Sequence, residues 1–558
     1  MIRFNRRFTK LYLPLVVFTV TIWFLFFHNA ENIDRNADLL VFDKYTGRKG
    51  NIVINAGVIR CISILGASWC PSVISSAGVK HGRSYRTIVK KDLDFYSSSL
   101  NIFKKYFFYD SVNVGPLLKV KNFKYISDIV SKKALESQEL GENVEKKHLL
   151  EDTYAIVSKL TSPETFEPIA DVDVLYNLEF DPRPGWKLVD GITINALTKF
   201  SIYKHMPASD KITSTKDRTL VLKQDSAKYK IVQLADMHFS ITDGECHDEF
   251  PPTDDCKADR KTQVFIDKVL DLEQPDLVIF TGDQIMGDQC KKDSKSALLK
   301  VVGPIIARKI KWAMVWGNHD DEGSLDRFEL SQLAASLPYS TFRINAGIDT
   351  LDTTFGIGNY VQKIYKEEKN KPDSYIPIGS LIFMDSHKYS KSPKSFPGYD
   401  WIKPSQYNYI GKHYGLKTPL NMAFFHIPLP EYLNIKSEST GKENKIVGSG
   451  REGVTAPKYN SGTLEFLKKE LNVQLISVGH DHCNDYCLSN DDYGSKSWLC
   501  YGGGAGEGGY SGYGGTERRI RVFEIDFDKL SIETWKRKQT NSQDTFDHQE
   551  LVSGGIAV

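Results

Sequence analysis

The chain has 558 residues, 41% hydrophobic, 25% charged and 12% aromatic, the composition of a globular protein with two or three domains; it excludes a disordered or fibrous chain. A formal net charge of +2 at pH 7 supplies no overall field for polyanions, so nucleic acid is not an expected partner. Eight cysteines are too few for a disulfide scaffold.

The first thirty residues depart from this average. Arg3, Arg6, Arg7 and Lys10 precede the apolar stretch Leu11 to Phe27, whose 17 residues sit at the lower limit for a membrane span. Phe27-His28-Asn29-Ala30 lacks the small-x-small pattern of a cleavage site, so residues 1–30 are expected to be an uncleaved single-pass anchor. The basic flank then stays in the cytoplasm and the rest of the chain lies on the lumenal or extracytoplasmic side. The absence of any N-x-S/T sequon points the other way, but charge bias acts directly on insertion and outweighs it.

Residues 31–222 carry no motif. Short apolar runs at Asn51 to Ile59 and Asp171 to Phe180 suggest strands, DPRPGW at Asp181 to Trp186 suggests a turn, and Ser131 to Leu160 is charged and helix-prone. The expectation is a strand-rich accessory domain, bounded by the polar stretch Thr215 to Gln224.

From Tyr229 the pattern changes to buried strands alternating with amphipathic helices, and a second domain is expected over 223–540, with 541–558 as a tail. The apolar runs Ile231 to Ala235, Leu277 to Thr281 and Trp312 to Trp316 are separated by helix-like Arg260 to Glu273 and Ser294 to Lys309, a βαβαβ pattern with a parallel sheet. Each run ends in polar residues: Asp236 and His238, Gly282-Asp283, and Gly317-Asn318-His319-Asp320. Parallel strands put their carboxyl ends on one side of the sheet, so these endings converge. Asp349 to Thr463 is longer than a simple connection; within it Gly379 to Met384 ends at Asp385-Ser386-His387 and Asn421 to Phe425 ends at His426. Val473 to Val478 then ends at Gly479-His480-Asp481-His482. The glycine-rich tract Gly502 to Gly515 is either a linker or an ordered loop beside the site, and Arg519 to Phe527 reads as a closing strand.

Asp236, His238, Asp283, Asn318, His426, His480 and His482 form a mixed nitrogen and oxygen donor set that suits Mn(II), Fe or Zn better than Ca or Mg. Seven donors exceed the need of one ion, and two divalent ions sharing a carboxylate would use them all. Cys483 and Cys487 are spaced as a zinc pair but lack a second pair, so disulfides or buried thiols fit better.

In order, D-x-H, G-D, G-N-H-D, a strand-terminal H and G-H-x-H resemble the signature of the calcineurin-like metallophosphoesterases over Tyr229 to Phe527. Within that family WIKPSQ at Trp401 to Gln406 and EGVTAPKYNSG at Glu452 to Gly462 resemble the branch of plant purple acid phosphatase-like proteins and yeast dose-dependent cell cycle regulator phosphatases. The resemblance implies a four-layer α/β sandwich of two mixed sheets flanked by helices. It also implies that one ion takes Asp236, His238, Asp283 and His482, the other Asp283, Asn318, His426 and His480, with His319 as catalytic acid or phosphoryl ligand oriented by Asp320. The chain departs from purple enzymes in placing Met286 where their iron-bound tyrosine stands.

The resulting expectation is a two-metal hydrolase of phosphomonoesters, acting on a phosphoprotein modified on Ser or Thr or on a small phosphoester. The alternatives are a phosphodiesterase or nuclease on the same site and an anchored scaffold with structural metal. His387 ends a strand on the same side and is a candidate phosphate contact, against a structural role. Arg518, Arg519 and Arg521 are candidates for an acidic substrate, with a solvated strand edge the preferred reading. His205, His247 and His413 have no supporting context.

Overall fold

The computed structural model describes residues 50–64, 67–69, 84–94, 103–113, 122–162, 166–192, 197–204, 218–344, 354–368, 374–415, 417–435, 441, 443–512 and 515–558. The apolar segment 11–27 and His205 lie outside them; no helix of the described residues is long and apolar enough to cross a membrane. The chain divides into two compact units, Met1–Val172 and Asp173–Val558. That division falls earlier than the polar stretch at 215–224.

The described residues of the first unit form two antiparallel sheets. One has the order Ala67–Trp69, Asn51–Ile64, Phe103–Asn113, Ser84–Asp92. The other has the order Lys124–Ser131, Thr153–Lys159, Val144–Leu150. Ser131 to Leu160 is therefore not the expected helical stretch. Only Lys132–Glu136 is helical, and Glu145, Lys146, Lys147 and His148 lie exposed on an edge strand. Charge there reflects the solvated edge of a sheet, and pairing with Thr153–Lys159 overrides local helix propensity.

In the second unit, taking the strands of its two large sheets, β1 is Leu220–Val221, β2 Lys228–Leu234, β3 Leu277–Thr281, β4 Lys311–Val315, β5 Tyr360–Glu367, β6 Tyr375–Phe383, β7 Leu420–Phe424 and β8 Ile446–Val447. They continue as β9 Leu475–Val478, β10 Cys487–Asn490, β11 Ser497–Tyr501, β12 Arg519–Asp526, β13 Ser531–Lys538, β14 Thr545–Ser553 and β15 Ile556–Ala557. An eight-stranded sheet has the order β1-β5-β6-β7-β9-β11-β10-β8, and a seven-stranded sheet the order β4-β3-β2-β12-β13-β14-β15. Both are mixed: β2, β3 and β4 run parallel and β12 antiparallel to β2, while β6, β7, β9 and β11 run parallel between antiparallel neighbours. The sheets face each other. Phe424 meets Phe523 edge-on across the gap, and Gln233 of β2 donates to the Val478 carbonyl of β9.

Helices α1 (Ala258–Glu273) and α2 (Ser294–Ala307) cross over between β2, β3 and β4. Along α1, Phe265, Ile266, Val269 and Leu270 are buried while Arg260, Val264, Lys268 and Asp271 face solvent, the four-residue spacing of an amphipathic helix. Each of those buried side chains contributes about 1.5–3 kcal/mol. Residues 541–558 are no tail: β14 and β15 extend the seven-stranded sheet, with Leu551 and Val552 buried. Their apolar residues are few, and pairing with β13 supplies the rest.

Candidate metal centre

The parallel strands β2, β3 and β4 of one sheet and β7 and β9 of the other end at one side, and the turns that follow them carry the expected donors. Asp236, His238, Asp283 and His480 have φ of +53°, +51°, +51° and +76°. Each non-glycine residue held there costs about 1–2 kcal/mol, strain that concentrates at functional sites. The turn redirects each side chain from the strand axis into the crevice between the sheets. Gly282 sits against the His426 ring, which a Cβ would strike, so the glycine before the shared carboxylate is a packing requirement.

Two clusters result. The donor atoms of Asp236, His238, Asp283 and His482 lie within 4.8 Å of one another, as do those of Asp283, His426 and His480. Asp283 belongs to both. Asn318 Oδ1 is 3.0 Å from His426 Nε2 and completes the second. All seven expected donors are thus brought together, and all are buried.

The donor chemistry fits cations. His238 Nε2 is 3.1 Å from His482 Nε2, and His480 Nδ1 is 3.2 Å from His426 Nε2. In two of these rings the hydrogen is committed elsewhere: His482 Nδ1 donates to Tyr510 O at 2.8 Å and His426 Nδ1 to Thr281 O at 2.9 Å. Burial lowers His238 and His480 to about 3, keeping them neutral with a lone pair to offer. Asp236 is pushed up to about 8 by burial and by Asp283. His426, which burial alone would lower, is held at about 9 by Asp283 and Asp236. Buried carboxylates with inward-facing imidazole nitrogens call for positive charge between them.

His319 stands beside the clusters and belongs to neither; its ring is 5.6 Å from that of His238. Its partner differs from expectation. Asp320 accepts backbone N–H groups from Asp283 (3.0 Å), Ile285 (3.1 Å) and Gly317 (2.7 Å), so it fixes the loops. Glu322 Oε2 instead meets His319 Nδ1 at 2.8 Å. Burial would lower the His319 pKa, but Asp283 and Glu322 outweigh it and hold it above the ordinary value. Glu322 is not among the residues the motifs single out; its position three residues after His319 in one turn is the signal the sequence carries for it.

The glycine-rich tract is ordered against the site. Gly509 lies on the His238 and His482 rings, where a Cβ would strike both, and the ring of Tyr510 stacks on His482 at 3.9 Å. The tract is pinned by Arg518, which donates to the carbonyls of Gly509 (2.7 Å), Tyr510 (3.0 Å) and His247 (2.6 Å). Arg519 pairs with Asp485 at 2.7 Å, and Arg521 donates to Tyr501 O (2.8 Å) and Asp485 O (2.6 Å). All three arginines are buried, so they are neither a solvated edge nor a substrate patch. His247 bonds the tract through its backbone alone, its N–H donating to Glu507 O at 2.9 Å, and His413 Nδ1 donates to Tyr409 O within its own helix.

The remaining tracts brace the site. His387 is structural: its Nε2 meets Gln406 Oε1 at 2.8 Å, and Gln406 also donates to Asn359 and to the Asp385 carbonyl. Glu452 accepts from the Cys483 N–H and the Tyr510 hydroxyl, tying its segment to the glycine tract. Cys487 is disulfide-bonded to Cys500 and Cys246 to Cys256, while Cys290 and Cys483 are buried free thiols. A Cys483–Cys487 zinc pair is thereby ruled out.

Two tyrosines flank the clusters, and their hydroxyls have other partners. Tyr510 donates to Glu452 Oε2 at 2.9 Å, and Tyr399, edge-on to His480, donates to Tyr389 at 3.3 Å. With Met286 in the family's tyrosine position, the purified protein should show no visible charge-transfer band, and Mn(II) should restore a chelated sample. An absorption spectrum tests this; a visible band means that a tyrosine has moved onto the metal.

Paired carboxylates and imidazoles at the strand ends of two facing mixed sheets make up a candidate dinuclear metal site. Residues 229–484 match the model of the calcineurin-like phosphoesterases, and the chain belongs to that family. It is 49% identical over 411 residues to phosphatase DCR2 of Saccharomyces cerevisiae, covering 70% of each chain. It is 34% identical over 363 residues to a protein of Arabidopsis thaliana named probable inactive purple acid phosphatase 29, covering 61% of this chain and 90% of that one. A second Arabidopsis thaliana protein, named probable inactive purple acid phosphatase 28, is 32% identical over 372 residues, covering 61% and 88%.

Proposed function

We propose that the chain hydrolyses phosphomonoesters, with proteins phosphorylated on Ser or Thr as substrates. The observation that carries this reading is His319, held by Glu322 beside both donor clusters and committed to neither. Asp236, His238, Asp283 and His482 would hold one divalent ion, and Asp283, Asn318, His426 and His480 the other. When bound, such a pair neutralises phosphoryl oxygens and lowers the pKa of an attacking water. His319 protonates the leaving oxygen or binds the phosphoryl group, with Nδ1 fixed on Glu322 so that Nε2 stays available. A scaffold with structural metal has no use for that histidine.

The test is turnover of an aryl phosphomonoester against the matching diester, before and after chelation and metal return. Metal-dependent hydrolysis of the monoester with little of the diester is expected. Preference for the diester overturns the monoester reading, and no turnover of either overturns the enzyme.

We also place the catalytic unit on the lumenal or extracytoplasmic side of a membrane anchored through residues 11–27. The basic residues before Leu11 and the paired cysteines support this. In denatured, unreduced protein, thiol labelling should reach Cys290 and Cys483 but none of Cys246, Cys256, Cys487 and Cys500; labelling of all six would place the unit in the cytosol.

A further inference from the structure

A few residues after His238 the chain forms a loop, Glu245 to Lys257, that is closed twice at its base. Glu245 and Lys257 pair as an antiparallel bridge, and Cys246 is disulfide-bonded to Cys256, ten residues on. Between the two cysteines His247, Asp248 and Phe250 to Asp255 are exposed, so the loop has no buried core to hold its shape. The cross-link is what restricts its backbone.

This loop supports the glycine-rich tract from outside. The His247 N–H donates to Glu507 O at 2.9 Å, the Ser511 N–H to Asp248 Oδ2 at 3.1 Å and the Ser511 hydroxyl to Asp248 O at 2.5 Å. Lys261 pairs with both Glu249 and Glu507, and Gly515 packs on Phe250, which a Cβ there would strike. Arg518 makes the shortest link to the metal centre: Nη2 donates to His247 O and Gly509 O, and Nη1 to Tyr510 O.

The tract in turn holds three of the four donors of the first cluster. Tyr510 O accepts from His482 Nδ1, Gly509 lies on the His238 and His482 rings, and the Gly506 N–H donates to Asp236 O at 3.2 Å. The second cluster is braced from other segments: His426 Nδ1 donates to Thr281 O of β3, and the His319 N–H to Asp283 Oδ1. A hydrogen-bonded partner behind a ligating imidazole fixes its orientation, and losing that partner costs about 10- to 100-fold in metal affinity.

Access separates this disulfide from Cys487–Cys500. The latter is fully buried, whereas Cys246 and Cys256 are half-buried in an exposed loop, where an aqueous thiol reaches them. Resting on the two-ion assignment, we infer that the Cys246–Cys256 disulfide positions the first donor cluster through the glycine tract, and that its reduction weakens the hold on the first ion while sparing the second. A dithiol supplies the two electrons. Its thiolate attacks one sulfur, the S–S bond breaks through a mixed disulfide, and its second thiol closes the reagent's own disulfide, leaving Cys246 and Cys256 as thiols.

The test reduces the folded, metal-loaded full chain with dithiothreitol, alkylates it with iodoacetamide so that freed thiols take no metal, and then removes reagents and metal and titrates Mn(II). Peptide mapping by mass spectrometry should find Cys246 and Cys256 alkylated, Cys290 and Cys483 untouched, and Cys487 still joined to Cys500. Untreated chain should bind two Mn(II) ions. Alkylated chain should bind one as before and the other about 10- to 100-fold more weakly. The double variant Cys246→Ala, Cys256→Ala should reproduce the weakened site without any reagent. Should it fail to melt cooperatively, Ser511→Ala with the disulfide intact should weaken the same ion by a smaller factor. Two sites of parent affinity after the bond has been opened overturn the inference, and so does equal weakening of both sites, which would mark a general role in the fold. A Cys246–Cys256 bond that resists the dithiol overturns the redox sensitivity. No Mn(II) binding by the untreated chain overturns the two-ion assignment itself.

Discussion

Asp283→Asn should lower phosphomonoester turnover by about 10³-fold or more, since the lost interaction supplies several kcal/mol at about 1.4 kcal/mol per decade. The substitution keeps the shape: Oδ1 can still accept the His319 N–H, which it does at 2.9 Å. The other oxygen, 3.3 Å from His426 Nε2 and 3.8 Å from His238 Nε2, is replaced by an amide N–H₂ that carries no negative charge. The only carboxylate common to both clusters loses its charge, so metal content should fall with activity while the melting curve stays cooperative. Near-normal turnover would sink the shared-carboxylate assignment.

His319→Ala should separate chemistry from metal binding. Metal content should match the parent, because His319 belongs to neither cluster, while kcat falls by about 10²- to 10⁴-fold. The side chains of His319 and Glu322 are each about one-third exposed, so folding should be little affected. Glu322→Gln, which keeps an acceptor and loses the charge, should lower kcat by about 10-fold with KM unchanged, the split expected of a residue that positions the acid. Loss of metal from His319→Ala would make it a ligand. An Asp320→Asn variant behaving like Glu322→Gln would return the orienting role to Asp320; as placed, Asp320 bonds three backbone N–H groups and should act on loop stability instead.

Much of the site was legible in the chain because of its topology. Ile231 to Ala235, Leu277 to Thr281 and Trp312 to Trp316 are buried on both faces, so they read as continuous apolar runs, and the first polar residues after them must emerge at one edge of a parallel sheet. Asp236, His238, Asp283 and Asn318 follow these three runs, His426, His480 and His482 follow two more, and the role of His319 came from the family resemblance. Helices α1 and α2 were visible because their apolar spacing is local.

What remained hidden depends on partners distant in sequence. Arg518, Arg519 and Arg521 look like a basic edge in the chain, and only folding shows them buried against carbonyls and Asp485 contributed by the glycine tract and the loop after β9. The exposed charges of Val144–Leu150 satisfy a helix and an edge strand equally, and pairing with Thr153–Lys159 decides between them. His319 is followed by three acidic residues; backbone geometry gives Asp320 to the loops, Asp321 to Arg327 and Lys388, and Glu322 to the ring. The sequence by itself determined the donor types and their order, because ligand chemistry and strand periodicity are properties of a few adjacent residues. Tertiary structure alone decided how the arginines and Glu322 are used, because burial and hydrogen-bond partners are set by the folded backbone and, for the arginines, by chain segments tens to hundreds of residues apart.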